Sequence, residues 1–314
     1  MTYDVIVIGG GPAGLSGAMA LSRALRSVLV IDAGEPRNGP AVGIHNFLTH
    51  DNIAPADFRA AGQAEVRGYG GEIIDGRVTA TGRDADLLTV TLDDGRSYAA
   101  RRLLVTTGLT DELPQIPGLR DHWGHTVVHC PYCHGYEVRG QAIGIVGSSP
   151  LSLQQALMWR QWSDDITLFQ HTAPEPDAEQ ARQFAARGIK VVTEKIAEVL
   201  TEDDRLTGVR LTDGTVVARD ALVVAPRLLA NAEPLPSLGL TATDNDFGTV
   251  VEAEPTGRTA VPGVWVAGNV TDQMAQVIGA AAAGLMVAVQ LNLDLITEDT
   301  DRAVAAAGSA DLPR

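Results

Sequence analysis

The pattern of apolar and polar positions opens on an unbroken apolar run, "YDVIVI" at Tyr3 to Ile8, followed at once by glycines. A β-branched run without polar alternation predicts a parallel strand covered on both faces. The segment "PAGLSGAMALSRAL" then predicts a helix, and "VLVIDAG" returns to a second apolar strand ending at Asp32. The order recurs in "AIGIVGSSPLSLQQALMWRQWSDDITLFQHT", with a strand predicted over Ile166 to Phe169. Near the C-terminus an apolar strand, Gly263 to Ala267, runs into Gly268-Asn269, and an Ala/Gly-rich helix is expected from near Ala275. No internal repeat shows beyond the two strand–turn–helix–strand segments.

These two segments imply an α/β fold with two Rossmann-like dinucleotide-binding domains. The Pro-rich stretches "LPQIPG" (113–118) and "APRLLANAEPLP" (225–236) read as crossings between them. Residues 1–112 and 246–314 are expected to form one split domain, with 113–245 inserted as a central domain. The tail after Thr297 is rich in alanine and acids and is expected to be poorly ordered.

Composition narrows the partners. The 314 residues are 45% hydrophobic and 20% charged, ordinary for a globular chain of two domains. Lys+Arg 24 against Asp+Glu 39 leaves a net charge of −15, which argues against nucleic acid or an anionic membrane as a partner. The apolar run Val277 to Val289 is too short to span a bilayer. The chain enters "TYDVIVIGG" with no basic segment before it, so a cytoplasmic protein without a secretory signal is expected.

The first glycine turn carries Gly9, Gly11 and Gly14 in G-x-G-x-x-G spacing. The first allows the tight turn, the second close approach of a pyrophosphate, and the third close helix–strand packing. The diphosphate belongs at the helix N-terminus, and Asp32 is placed to accept hydrogen bonds from a ribose. In the second segment the same positions read Gly147, Ser149 and Ser152, so a Cβ stands where bare backbone is needed. After its strand come Gln170 and the acidic "HTAPEPD", with no arginine before Arg182. Neither a ribose carboxylate nor a 2′-phosphate site is present, and NAD(P)H binding is not expected there, although serines can cradle phosphates.

The only two cysteines lie in "VVHCPYCHGYE", as Cys130 and Cys133. Such a pair can clamp a metal, reduce a disulfide or make one. Pro131 suits the first turn of a helix, whose positive end lowers a thiol pKa. His129 and His134 flank the pair and can move its protons. His122 and His125 add zinc-like spacing, but the frame is not a zinc fold and no metal is expected. His45, His50 and His171 read as solvated or core side chains.

Taken together, "GGGPAG", "TTG" at 106–108, the C-x-x-C pair, "GVWVAGNV" and "AQV" at 275–277 resemble the flavoprotein disulfide reductases of the small thioredoxin-reductase type. This is the class II pyridine nucleotide-disulfide oxidoreductase architecture. The resemblance implies one FAD per chain and a homodimer. It carries flavin-dinucleotide contacts onto Gly9, Gly11, Pro12, Ala13 and Gly14, then onto Asp32, Ala33, Arg37 and Asn38. It carries others onto His45 and Asn46, Val78, Thr107 and Gly108, and Gly268 and Asn269. Gln276 and Val277 complete them, with the Val277 N–H near the flavin pyrimidine edge. The usual Gly-Asp is Gly268-Asn269 here, an amide that can still bond the ribityl chain.

The same resemblance implies that Cys133 faces the flavin and that Cys130 exchanges with substrate. "HCxxCHG" is similar to a branch of FAD-dependent dithiol oxidases of holomycin- and gliotoxin-type pathways, which lack nicotinamide recognition. In that branch the histidine before the first cysteine works with an asparagine, here Asn38. The leading expectation is a small-molecule dithiol oxidised at Cys130/Cys133 with O2 as acceptor. A disulfide reductase driven by NAD(P)H or a donor such as ferredoxin, and a flavin-binding redox sensor, stay open.

Overall fold

The structure is a computed structural model that describes residues 2–308. Along the chain, β1 (Thr2–Ile8) leads through α1 (Pro12–Arg23) to β2 (Val28–Asp32). Then α2 (Pro55–Gly68) precedes β3 (Glu72–Asp75), β4 (Val78–Asp84), β5 (Leu87–Leu92) and β6 (Ser97–Val105). Next come β7 (Leu109–Glu112), β8 (Val127–Val128), the single-turn α3 (Pro131–His134), β9 (Ile143–Val146) and α4 (Pro150–Trp159). They are followed by β10 (Ile166–Phe169), α5 (Ala178–Ala186) and β11 (Lys190–Val192). Next are β12 (Ile196–Glu202), β13 (Arg205–Leu211), β14 (Val216–Ala218), β15 (Ala221–Val224) and β16 (Arg227–Ala230). The last are β17 (Ala242–Asn245), β18 (Gly248–Val251), β19 (Val264–Val266) and α6 (Val277–Gly308).

The chain forms two compact units. One holds the residues up to Arg37, Ala56–Thr110 and those from Leu228 onward; the other holds Asn38–Pro55 and Asp111–Arg227. The second crossing thus falls at 227/228 rather than at 245. The reason is apolar: Ala230, Ala232, Leu235, Leu240 and Val251 are buried in the first unit's core beside Leu29, Leu103 and Val264. The loop Asn38–Pro55, expected with the first domain, packs in the second unit.

In the first unit the main sheet runs β3-β2-β1-β6-β5-β4, with β19 added parallel to β6. All five residues of β2 are buried, which is why its sequence shows no alternation. One face is covered by α1 and α6, which meet through Ala13, Ala18, Leu21, Ala280, Ala288 and Leu291. A Cβ on Gly284 would stand 2.7 Å from the Ala13 carbonyl carbon, so glycine lets the two helices touch at backbone distance.

The helix α6 runs 32 residues, past the point where disorder is expected. Residues 298–308 are helical, and 309–314 lie outside the described residues. Arg26 and Arg101 pair with Asp299, and Arg102 pairs with Asp294 and Glu298, tying this end to the sheet. By length and composition α6 is also long and apolar enough to cross a membrane, unlike the short run read from sequence. Its Ala280, Val287, Ala288, Leu291 and Leu295 are nevertheless buried in the first unit's core.

In the second unit a parallel sheet, β11-β10-β9-β15-β8, carries α4 and α5. The antiparallel β12-β13-β14 forms a separate ladder.

Candidate active site: a dinucleotide cradle and a redox dithiol

The first glycine turn is built on backbone proximity. Gly9 sits at φ +109°, and a Cβ there would be 2.9 Å from the Thr106 carbonyl carbon. Thr106 Oγ1 donates within hydrogen-bond range of both the Ile8 and Gly9 carbonyls (3.0 and 2.9 Å), closing the turn. The α1 N-cap, Gly11, has no side-chain cap, so the first N–H groups of the helix are left for an anion. A Cβ on Gly11 would meet nothing within 4 Å, so open space lies where a pyrophosphate needs it.

Asp32 is buried at the end of β2. Its Oδ2 accepts from Arg59 Nη1 (2.9 Å) and its Oδ1 from the Gly34 N–H (3.2 Å). Arg59, on α2, is a neighbour that no motif announced. A Cβ on Gly10 would stand 2.8 Å from Asp32 Cβ, so that glycine makes room for the carboxylate. The turn, the uncapped helix and the buried acid fit the adenosine-diphosphate end of FAD.

The other expected contacts of this unit divide. Gly108 (φ +70°) and Thr107 are latched to Asn231: Thr107 Oγ1 donates to its carbonyl (2.6 Å), and Asn231 Nδ2 donates to the Thr107 carbonyl (3.0 Å). Gly268, at φ +77°, opens the short helical turn Gly268–Val270, with its Cβ position 2.8 Å from Ala13 Cβ. Asn269 Nδ2 donates to the Asp272 and Ala275 carbonyls (2.9 Å each), while its Oδ1 faces Arg37 Nη1 at 3.5 Å. Its amide donors therefore organise the lead into α6, leaving Oδ1 as the group that can receive a hydroxyl. The Gln276 carbonyl accepts the Ala280 N–H, and α6 starts at Val277, two residues later than expected from sequence. Val78 is buried in the core, and Ala33 is exposed.

In the second unit Cys130 is the N-cap of α3, and Pro131 occupies its first turn as expected. The helix has only 4 residues, so the dipole contribution to thiol acidity is smaller than a full helix would give. Both cysteines are half-buried, and Cys133 Sγ lies 2.7 Å from Cys130 Sγ. The Cys133 and His134 N–H groups donate to the Cys130 carbonyl (3.2 and 3.1 Å), coiling the pair into one turn. Gly135 closes that turn, where a Cβ would meet Trp162 Nε1 at 2.8 Å.

Side chains converge on this turn. The His129 and His134 ring centroids are 6.5 Å apart, and Trp123 stacks on His129 at 5.6 Å. Both His134 ring nitrogens are buried without a hydrogen bond of normal geometry. Burial, its largest influence, holds the His134 pKa below the ordinary value against the pull of Glu137. Gln155 Nε2 of α4 donates to the His129 carbonyl (3.2 Å). From the loop Asn38–Pro55, Asn46 Nδ2 donates to the Tyr132 carbonyl (2.6 Å), and His45 lies between Asp51 (3.4 Å) and Glu137 (3.5 Å). Two residues taken from sequence as flavin contacts thus make bonds at the dithiol turn. Asn38 lies in a tight turn in which its carbonyl accepts the Ala41 N–H. Among the described residues no group of three or more His, Cys, Asp or Glu is arranged to hold a metal.

The second glycine turn has spent its own donors. Ser152, fully buried, accepts at Oγ from the Ser148 and Ser149 N–H groups (3.1 and 3.4 Å). These are the amides that would meet a pyrophosphate. The Gly147 carbonyl accepts from both Thr172 and Ala173 (2.9 Å each), folding the chain after β10 back over the turn. His171, at φ +47°, accepts the Ile196 N–H at Nδ1 (3.1 Å), where a ribose-binding acid would be looked for. His122 Nε2 meets Thr201 Oγ1 at 2.8 Å, so both histidines serve the fold.

A flavin-dinucleotide cradle, a second dinucleotide-type fold and an internal C-x-x-C define a flavoprotein thiol/disulfide oxidoreductase. The chain belongs to the pyridine nucleotide-disulphide oxidoreductase family, whose profile matches residues 3–284. It is 32% identical over 307 residues to the thioredoxin reductase tcpT of Claviceps purpurea (strain 20.1), covering 93% of this chain and 95% of that one. It is 30% identical over 315 residues to the thioredoxin reductase sirT of Leptosphaeria maculans, covering 95% of each. The crystal structure of HlmI superposes with TM-score 0.93 at 42% identity, covering 98% of this chain and 97% of that one. An oxidoreductase from Agrobacterium tumefaciens follows at TM-score 0.89 and 36% identity, covering 95% and 99%. The protein is a thioredoxin-reductase-like, FAD-binding oxidoreductase, as its motifs led one to expect.

Proposed function

We propose that this protein oxidises a small-molecule dithiol to its disulfide, with O2 as final acceptor and hydrogen peroxide as product. The observation that carries the reading is the second glycine turn, where Ser152 occupies the loop amides while the C-x-x-C pair is retained. An enzyme without a grip on a nicotinamide must draw its electrons elsewhere, and a reduced dithiol is a donor that a C-x-x-C pair accepts.

In this mechanism a substrate thiolate attacks Cys130 Sγ of the oxidised pair. The Cys130–Cys133 bond breaks, Cys133 leaves as thiolate, and a mixed disulfide forms. His129 takes the proton of the second substrate thiol, which attacks the mixed disulfide, closes the product and releases Cys130 as thiolate. Two electrons have then passed from substrate to the pair. FAD, when bound, supplies the two-electron acceptor that O2 can reoxidise. His134, kept neutral by burial, is a second proton acceptor beside Cys133. Asn38 is assigned as the partner of His129 on the resemblance alone. The unit containing Gly9–Gly14 is the FAD domain of this scheme, in a cytoplasmic homodimer.

A disulfide reductase is the second reading, favoured by the thioredoxin-reductase names of tcpT and sirT. Anaerobic mixing of the oxidised FAD-loaded protein with NADPH, and separately with dithiothreitol, distinguishes the two. Bleaching of the flavin by the dithiol alone, with peroxide on admission of air, is the expected outcome. Rapid bleaching by NADPH would overturn the oxidase reading.

A further inference from the structure

The ring partner of His129 is a residue to which no motif gives a role. Trp123 follows the short helical turn Arg120–His122, and its N–H donates to the Arg120 carbonyl (3.1 Å). An isolated bridge to Val127 fixes its backbone next to β8, the strand that leads directly into His129. The indole lies 29° from parallel with the imidazole, with centroids 5.6 Å apart. Gln155 holds the His129 backbone from the other element, α4, through its carbonyl. The imidazole is therefore fixed at its backbone by one element and stacked on the ring of another.

We propose that Trp123 is a positioning residue for His129, holding its imidazole in one plane next to Cys130 and stabilising the protonated form of that ring. An indole face attracts a cation, whereas a neutral imidazole gains only ordinary stacking, so the protonated state profits more. The segment carrying Trp123 contributes Arg120, Asp121, His122, which is tied to Thr201, and His125; the dithiol turn contributes Cys130, Cys133 and His134. The strands β8, β9 and β15 and the helix α4 carry no titratable side chain. His45 and Glu137 are paired with each other. Burial lowers the His134 pKa, so this neighbouring ring adds no charge beside His129 at neutral pH. The arrangement separates two neighbouring histidines into a proton carrier and a neutral acceptor, the pattern by which acid and base roles are divided.

The catalytic consequence rests on the proposed role of His129 in thiol proton transfer; the ring geometry and titration do not. The test is a histidine NMR titration of the FAD-loaded full chain, with His129→Gln to assign the signal. Wild type is compared with Trp123→Leu and Trp123→Phe. In Trp123→Leu the His129 midpoint is expected to fall by about half to one pH unit, and the upfield ring-current shift of its ring protons to vanish. Trp123→Phe, which keeps an aromatic face, is expected to restore most of both. A His129 that titrates identically in wild type and Trp123→Leu overturns the proposal, as does loss of the shift in Trp123→Phe with FAD still bound. Bleaching by NADPH would overturn the oxidase reading without moving this titration, so the two failures are distinguishable.

Discussion

Gly11 and Gly14 stand in the same turn under different constraints. A Cβ on Gly11 points into open space, whereas one on Gly14 would run into the Gly9 carbonyl. Gly11→Ala is therefore expected to leave the urea unfolding midpoint of the apoprotein nearly unchanged while weakening FAD retention by about tenfold or more, roughly 1.4 kcal/mol. Gly14→Ala is expected to lower stability by about 1–3 kcal/mol even without FAD, because backbone must shift. Unchanged FAD retention in Gly11→Ala would show that the space beyond Gly11 is not a cofactor cradle. The G-x-G-x-x-G spacing was readable from sequence, but which glycine serves the ligand and which serves the fold needed the atoms around each. Arg59 against Asp32 was not readable at all, since it comes from a helix far along the chain.

At the scale of elements, the end of β10 shows how the chain folds back over the second glycine turn. His171 takes a left-handed backbone and accepts the Ile196 N–H, and burial, with Lys195 second, lowers its pKa. A histidine whose folded pKa lies below its unfolded value binds fewer protons when folded, so stability rises with pH across the window between them. The contribution is complete above about pH 6.5 and is lost as pH falls toward the lowered value. His134 acts with the same sign. Asparagine tolerates the left-handed backbone and can accept the same N–H without titrating. His171→Asn is therefore expected to reduce, not abolish, the fall in urea midpoint between pH 7.5 and 5.5. An undiminished fall would remove His171 from the linkage. The absent arginines and the serines of "GSSPLS" were legible in sequence. That Ser152 itself occupies the loop amides was not, because a hydroxyl's partner is a matter of distance.

For the whole molecule, α6 sets both the extent of the first unit and its exposed apolar surface. One side is buried against α1, while Met286, Val289, Leu293 and Ile296 are exposed on the same helix. In the homodimer that we propose, this exposed side is covered by a second copy, and the double variant Met286→Glu, Leu293→Glu is expected to sediment as a monomer. A variant that stays dimeric would move the interface elsewhere. The sequence alone determined the two parallel βαβ segments, the first glycine turn, the position of the redox pair and the serines that replace glycines in the second turn. All of these are local, because strand period, glycine spacing and side-chain chemistry are written within a few neighbouring residues. Only the tertiary structure decided that 228–245 joins the first unit, that His45 and Asn46 bond at the dithiol turn, and that Trp123 stacks on His129. Those are contacts between segments distant in the chain, and they are set by which apolar surfaces are buried together rather than by any neighbour in sequence.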